Sequence, residues 1–281
     1  MSIRIITDTS CDLPTEILNQ YQIDMIPLRV TFENGETYLD RLELSPEIFV
    51  QKMAASRLLP KTAAPDPSTF IEHFEKGLRE AGEVLFVSLS SGLSSTYEIA
   101  QLAKNLLGNT KVRVFDTLSA SLGTGIMAVR AAQMAAKGFS MDEIIKGLTS
   151  TLKTKKTIFT LNTLENVVKG GRLKKIEGLA GDLLHIKPIF LGNNENGKPE
   201  LFEKVRGRSK AIKRMVEMLG ELAESGWGNR IVGITHVHCI ADAQHLAQLI
   251  AERYNPDTIW INDMSATIGT YAGEGGLMVN I

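Results

Sequence analysis

Four segments concentrate hydroxyls and glycines behind short apolar runs: TDTSCD (7–12), SLSSGLSS (88–95), DTLSASLGTG (116–125) and SATIGTYAGEGG (265–276). A fifth, KTAAP (61–65), adds Thr62. These segments are poor in histidine and in paired acids. Serine hydrolysis needs an activated serine, a histidine base and an orienting acid. The G-x-S-x-G elbow is missing, because SGLSSTY has no second glycine in place. The histidines are His73, His185, His236, His238 and His245. On residue types alone, a hydrolase or transferase using a serine of 88–95 with His236 or His238 stays open. His236 and His238 would face one side of a strand and could share a metal, but no acidic third ligand sits nearby in sequence. There is no G-x-x-x-x-G-K-[ST] phosphate loop, and GTYAGEGG lacks the helix that follows a dinucleotide fingerprint.

Anion binding fits the residue types better. A strand, a Ser/Gly turn and a helix opening near Ser95 place free backbone N–H groups and a positive dipole end at the turn. Hydroxyls at Ser91, Ser94 and Thr96 add neutral donors. Ser94 also reads as a cap of that helix, and a cap and an anion site share the same N–H groups. Arg172, aimed by Gly170-Gly171, and Arg206, in KVRGRSK, are candidate guanidinium partners for an oxyanion.

The elements that must position these loops alternate. Strands are expected at Ile3–Thr7, Val84–Ser88 and Val112–Asp116, and helices at Thr15–Tyr21, Ser95–Leu107, Gly123–Ala136 and Met141–Leu152. Strands interleaved with helices imply parallel βαβ units whose ligands bind at the carboxyl ends of strands. Ser45-Pro46-Glu47 opens another helix. DMIPLRVTF reads as one strand, turned at Asn34-Gly35 into a second. Pro60, Pro65 and Pro67 exclude regular structure from 60–67, and Ser68 or Thr69 caps a helix over Phe70–Ala81. Beyond about residue 155 come a strand, a short helix, a β-hairpin over 186–207, a helix at Ser209–Ser225, a strand at Ile231–Val237, a helix at Ala241–Tyr254, a strand at Thr258–Asn262 and a glycine-rich end. The expected fold is α/β in two domains. Residues 1–155 form a mainly parallel sheet with flanking helices and carry the binding loops. Residues 156–281 form a mixed α/β domain containing the hairpin.

The 281 residues carry a net charge of −1, so nothing calls for nucleic acid. No apolar run reaches the ~18–20 residues of a membrane span, and the start lacks a signal-peptide core. Cys11 and Cys239 have no partner spacing. A cytoplasmic protein without disulfides or metal is expected.

The ordered motifs TDTSCDLP, KTAAPDPSTF, SLSSGLSSTYEIA, DTLSASLGTG, LENVVKGGRL and IGTYAGEGG resemble the DegV family over about residues 3–280. That family is similar to the fatty-acid-binding subunits of bacterial fatty acid kinase. The resemblance implies a protein that buries a long-chain fatty acid such as palmitate and performs no catalysis of its own. Its partners would be the fatty acid, a separate kinase subunit that makes acyl-phosphate from ATP, and transiently a membrane; it needs no cofactor. By the same resemblance Thr62 and Ser94 hold the carboxylate, and Arg172, Arg206 and Tyr271 face the carboxylate end or the kinase. Ala63 replaces a serine frequent in the family. Tyr271 stands where many members have histidine, and Glu274 where they have proline. A phenol donates a hydrogen bond but is a poor cation, so Tyr271 bears on kinase partnership and not on lipid binding. A sixteen-carbon chain gains about 10 kcal/mol from burial before ordering costs, so the chain sets affinity and the head group sets orientation. GIMAVRAAQMAA, LENVV and IEGLAGDLLHIKPIF are candidate tunnel walls.

Overall fold

The computed structural model describes residues 2–173, 186–223, 226–227 and 230–281. The first sheet is parallel, in the order β2 (Asp24–Ile26), β1 (Ser2–Asp8), β6 (Gly82–Ser88) and β7 (Val112–Asp116). Val84–Val87 and Ile5–Ile6 are fully apolar and buried, the pattern of strands covered on both faces. On one face lie α3 (Pro67–Ala81) and α4 (Thr96–Leu107), where Phe70, Phe74 and Phe86 meet ring to ring. On the other lie α1 (Thr15–Gln20), α5 (Leu122–Ala136) and α6 (Met141–Thr154). A reciprocal cap between Ser140 and Glu143 starts α6.

The second sheet is mixed, in the order β10 (Pro199–Arg206), β9 (Ile186–Gly192), β8 (Thr157–Thr160), β13 (Leu277–Asn280), β11 (Ile231–His236) and β12 (Thr258–Asp263). Only β11–β12 pairs in parallel. The helices α8 (Arg208–Leu222) and α9 (Ile240–Tyr254) cover one face, and α7 (Glu165–Lys169) follows β8. α5 is buried on nearly every side, because it packs on β1 of the first sheet and on β11 and β13 of the second. Its Gly and Ala residues give the small radius that position needs, since a Cβ at Gly123 or Gly125 would meet neighbouring atoms at under 3 Å. No helix among the described residues is long and apolar enough to cross a membrane.

Three expectations change. The single strand expected over DMIPLRVTF divides at Pro27, which has no N–H for a ladder. Its first part is β2; its second, β3 (Arg29–Thr31), forms a separate antiparallel sheet with β4 (Thr37–Leu39) and β5 (Lys61–Ala63). β5 lies in the stretch where prolines were expected to forbid regular structure. Three residues between Pro60 and Pro65 suffice for an edge strand on β3. The helix after it begins at Pro67, with Asp66 rather than Ser68 or Thr69 at the cap position. α2 (Pro46–Ala55) starts at Ser45 as expected, and the glycine-rich end contains a further helix, α10 (Ala266–Ala272).

Candidate functional site

The polar loops do converge, and buried carboxylates join them. Asp12 accepts the Ser121 hydroxyl at 2.5 Å and the Ser265 N–H at 2.8 Å, while its carbonyl accepts the Asn262 amide. Asp40 accepts the N–H groups of Ala266 and Thr267, each at 3.0 Å. These carboxylates therefore satisfy N-terminal donors of α10, whose own preceding residue makes no side-chain cap. Asp8 accepts the Leu89 N–H at 3.0 Å and fixes the start of the serine loop. Burial raises the pKa of all three, Asp12 to about 7. None was singled out from sequence; their place in or beside polar strand-end loops was the available signal.

Most serines of the 88–95 loop serve its geometry. Ser88 donates to the Leu89 carbonyl and Ser90 to that of Gly197, while Ser91 N–H reaches Asp116. Gly197 has φ +66°, and a Cβ there would overlap the Ser90 hydroxyl, so this docking requires glycine. Ser94 differs. Its Oγ accepts the Thr96 N–H at 3.3 Å and lies 2.8 Å from Thr96 Oγ1. When the Thr96 hydroxyl donates, the Ser94 hydrogen remains for a ligand. Ser95, not Ser94, holds the cap position and makes no side-chain cap, while Ser94 satisfies the first N–H of α4 and still has a donor to offer.

Thr62 sits at the centre of β5, opposite Val30. Its Oγ1 lies 2.6 Å from the Tyr271 phenol oxygen on α10. The Arg172 guanidinium covers the Tyr271 ring at 4.4 Å, and donates to the carbonyls of Leu93 and Gly170 at 3.1 and 2.7 Å. Gly170 allows this stack: a Cβ there would fall 2.4 Å from two ring carbons of Tyr271.

Thr62, Ser94, Arg172 and Tyr271 line one cavity with an empty volume of about 900 Å³, its mouth included. All four are half-buried. Much of the remaining lining is apolar and buried, with Phe159, Leu161, Val167, Met264 and Met278. Among the described lining residues there is no Asp or Glu, and the cations are Arg172 and Lys198. A largely apolar lining with a few placed polar groups is the character of a small-molecule site. α7 contributes Val167, as expected from LENVV. The expected wall of α5 is not there: its residues fill the core between the sheets. Of the third candidate wall, 176–185 lies outside the described residues, as does His185, and 186–190 is not among the lining residues.

The remaining candidates lie elsewhere. Arg206 is exposed at the end of β10 opposite Pro199, the cavity-lining residue, and paired with Ile186. Eight strand residues put it on the order of 20 Å from that end. His236 is buried beside Asp263, Nδ1 to Oδ1 3.3 Å, and burial lowers its pKa. His238, with φ +51°, turns out to Glu274 at 3.0 Å. Neither histidine lines the cavity or meets a loop serine, and no cluster of three metal-ligating side chains occurs among the described residues.

A family profile described as uncharacterised DegV-family protein matches residues 2–280. The chain belongs to the DegV family. Protein DegV of Bacillus subtilis is 34% identical over 278 residues, covering 99% of this chain and 98% of that one. A DegV-family crystal structure from Ruminococcus gnavus, refined with vaccenic acid, superposes with TM-score 0.92 at 29% identity, covering all of both chains. The fatty acid kinase (Fak) B3 protein of Streptococcus pneumoniae, loaded with linoleic acid, superposes with TM-score 0.87 at 28% identity, covering 100% of this chain and 99% of that one. The mixed α/β architecture, with a parallel sheet flanked by helices and a second mixed sheet, is thus that of DegV structures.

Proposed function

We propose that this protein binds a long-chain fatty acid such as palmitate, buries its acyl chain in the cavity beside Phe159 and Met278, and holds its carboxylate with Thr62 and Ser94. The observation that carries this reading is a largely apolar cavity in whose lining Thr62, Tyr271, the Arg172 guanidinium and Ser94 gather in one cluster. Hydroxyl donors with one nearby cation suit a carboxylate held without proton transfer. The DegV-family relatives bound to vaccenic and linoleic acid support it. On this reading the protein has no catalysis of its own. In the cytoplasm it would present the carboxylate to a separate kinase subunit, with exposed Arg206 on the kinase-facing side and transient membrane contact for exchange; the fatty acid kinase B3 relative supports the partnership. A division near residue 155 into a loop-bearing half and a half completing the lipid site belongs to the same reading.

Denaturing mass spectrometry of purified protein tests it. A C14–C18 acid should co-purify with wild type and be lost from the Thr62→Val/Ser94→Ala double variant. Lipid-free wild type that also fails to take up palmitate, with a loop serine labelled by a fluorophosphonate, would sink the reading.

A further inference from the structure

The cavity has a second polar feature besides the cluster of Thr62, Ser94, Arg172 and Tyr271. In β8, Thr157 and Phe159 face the cavity, and Leu161 continues that wall just beyond the strand. The wall is about 13 Å long at the rise of a strand. Leu161 leads into α7 and the Arg172 turn, so Thr157 lies at the end of this wall away from Arg172, and its partner Ser119 is anchored to the serine loop by its carbonyl, which accepts the Ser90 N–H at 2.9 Å. The Ser119 Oγ is 3.3 Å from Thr157 Oγ1. Both side chains line the cavity, and both residues are over nine-tenths buried, at 4% and 7% exposure. Behind them Thr157 bonds the Asn280 side chain at 2.9 Å, and the remaining amide atom of the buried Asn280 has no partner.

A purely aliphatic chain adds no partner to this group, whose orphaned atom is the Asn280 amide nitrogen behind the two lining hydroxyls. Three side chains hold one good hydrogen bond and one long one between them. Ser119 Oγ keeps an accepting position, and a buried acceptor or donor without a partner costs free energy. A site meant only for methylenes is served better by Ala and Val, and the neighbouring Ala120 and Phe159 show that the walls carry such residues where polarity is not needed. The amide of Asn280 can also sit the other way round; Nδ2 then donates to Thr157, whose hydroxyl hydrogen becomes free for a ligand. In either orientation Ser119 and Thr157, backed by Asn280, present hydrogen-bonding capacity to the cavity.

We propose that Ser119 and Thr157 form a subsite for an oxygen carried on the distal half of the acyl chain, so that the preferred ligands include hydroxylated long-chain fatty acids. This rests on the reading of the cavity as a fatty-acid site. Sites that hydrogen-bond a ligand hydroxyl discriminate against the analogue without it, because their own polar groups are then left unpaired.

The test compares palmitic acid with its 16-hydroxy and 12-hydroxy counterparts by competition binding to delipidated protein. Wild type should bind at least one hydroxy acid as tightly as palmitic acid, despite the cost of dehydrating the added hydroxyl. In Ser119→Ala and in Thr157→Val, the affinity ratio of that hydroxy acid to palmitic acid should fall about fivefold to tenfold. Thr157→Ser keeps the hydroxyl and should keep the ratio, which separates a lost hydrogen bond from a disturbed wall. Wild type that binds palmitic acid more than tenfold tighter than either hydroxy acid overturns the subsite and leaves the fatty-acid reading intact. So does a ratio that moves less than twofold in both variants. If wild type takes up none of the three acids, both readings fall.

Discussion

The phenol of Tyr271 and the hydroxyl of Thr62 meet at 2.6 Å across 209 residues of chain. One is on a short helix near the end of the chain, the other on a three-residue edge strand. If the phenol donates to Thr62 Oγ1, the Thr62 hydrogen is left to point at a carboxylate. Tyr271→Phe keeps the ring beneath Arg172 and removes only this orientation. Palmitate affinity should fall a few-fold, within about 0.5–1.5 kcal/mol, by isothermal titration. An unchanged affinity would show that Thr62 needs no help.

Tyr271→His speaks to kinase partnership separately. A histidine there can become a cation beside transferring phosphate, which a phenol cannot. Acyl-phosphate formation with a cognate kinase should rise in Tyr271→His while palmitate occupancy holds. Wild type that turns over as fast would show that the phenol suffices.

Arg172 does three things: it caps the carbonyls of Leu93 and Gly170 and stacks on Tyr271. A lysine has no planar fork for these. Wild type should prefer palmitate to the uncharged hexadecanol, and Arg172→Ala should narrow that preference roughly tenfold, the scale of one hydrogen bond to a charged group. Arg172→Lys should recover only part of it. An equal loss for acid and alcohol would mean that Arg172 shapes the mouth without sensing charge.

The conflict predicted at Gly170 is with a ring and not with the backbone, since its φ of −73° suits any residue. Gly170→Ala should push Tyr271 out of the stack and cost about 1–3 kcal/mol. In Gly170→Ala/Tyr271→Ala the ring conflict is gone and only the Asn166 carbonyl oxygen stays close to the added methyl, at 3.1 Å, so the double variant should be more stable than the sum of the singles predicts. Strict additivity in urea unfolding would contradict the contact.

Local chemistry made much of the fold legible. Ser45-Pro46 starts α2 where expected, and the contiguous apolar runs become the covered parallel strands. What escaped depends on distant partners. Lys61–Ala63 is a strand only because Arg29–Thr31 lies beside it, which no reading of its flanking prolines supplies. Ala266–Ala272 is helical although rich in Gly and Thr, because Asp40, 226 residues away, accepts from its first N–H. For the site, hydroxyl-rich loops pointed to an anion cradle. The stacking of Arg172 on Tyr271 could not be read from the two residues apart.

The buried carboxylates impose a direction on stability against pH. Burial pushes Asp12 up to about 7, against roughly 3.9 in an unfolded chain. Between those values the folded protein holds a proton that the unfolded chain releases, so stability falls as pH rises through that window, by up to about 1.4 kcal/mol per pH unit from this group. Asp8 and Asp40 are raised as well and act with the same sign. Asp12→Asn removes one such charge yet keeps an acceptor for the Ser265 N–H, and its NH₂ can donate to the Ser121 hydroxyl, which then donates to Thr235, its neighbour at 2.8 Å. Urea midpoints at pH 5 and pH 7.5 should therefore drop less for Asp12→Asn than for wild type. A drop as large or larger in the variant would place the pH dependence on other groups.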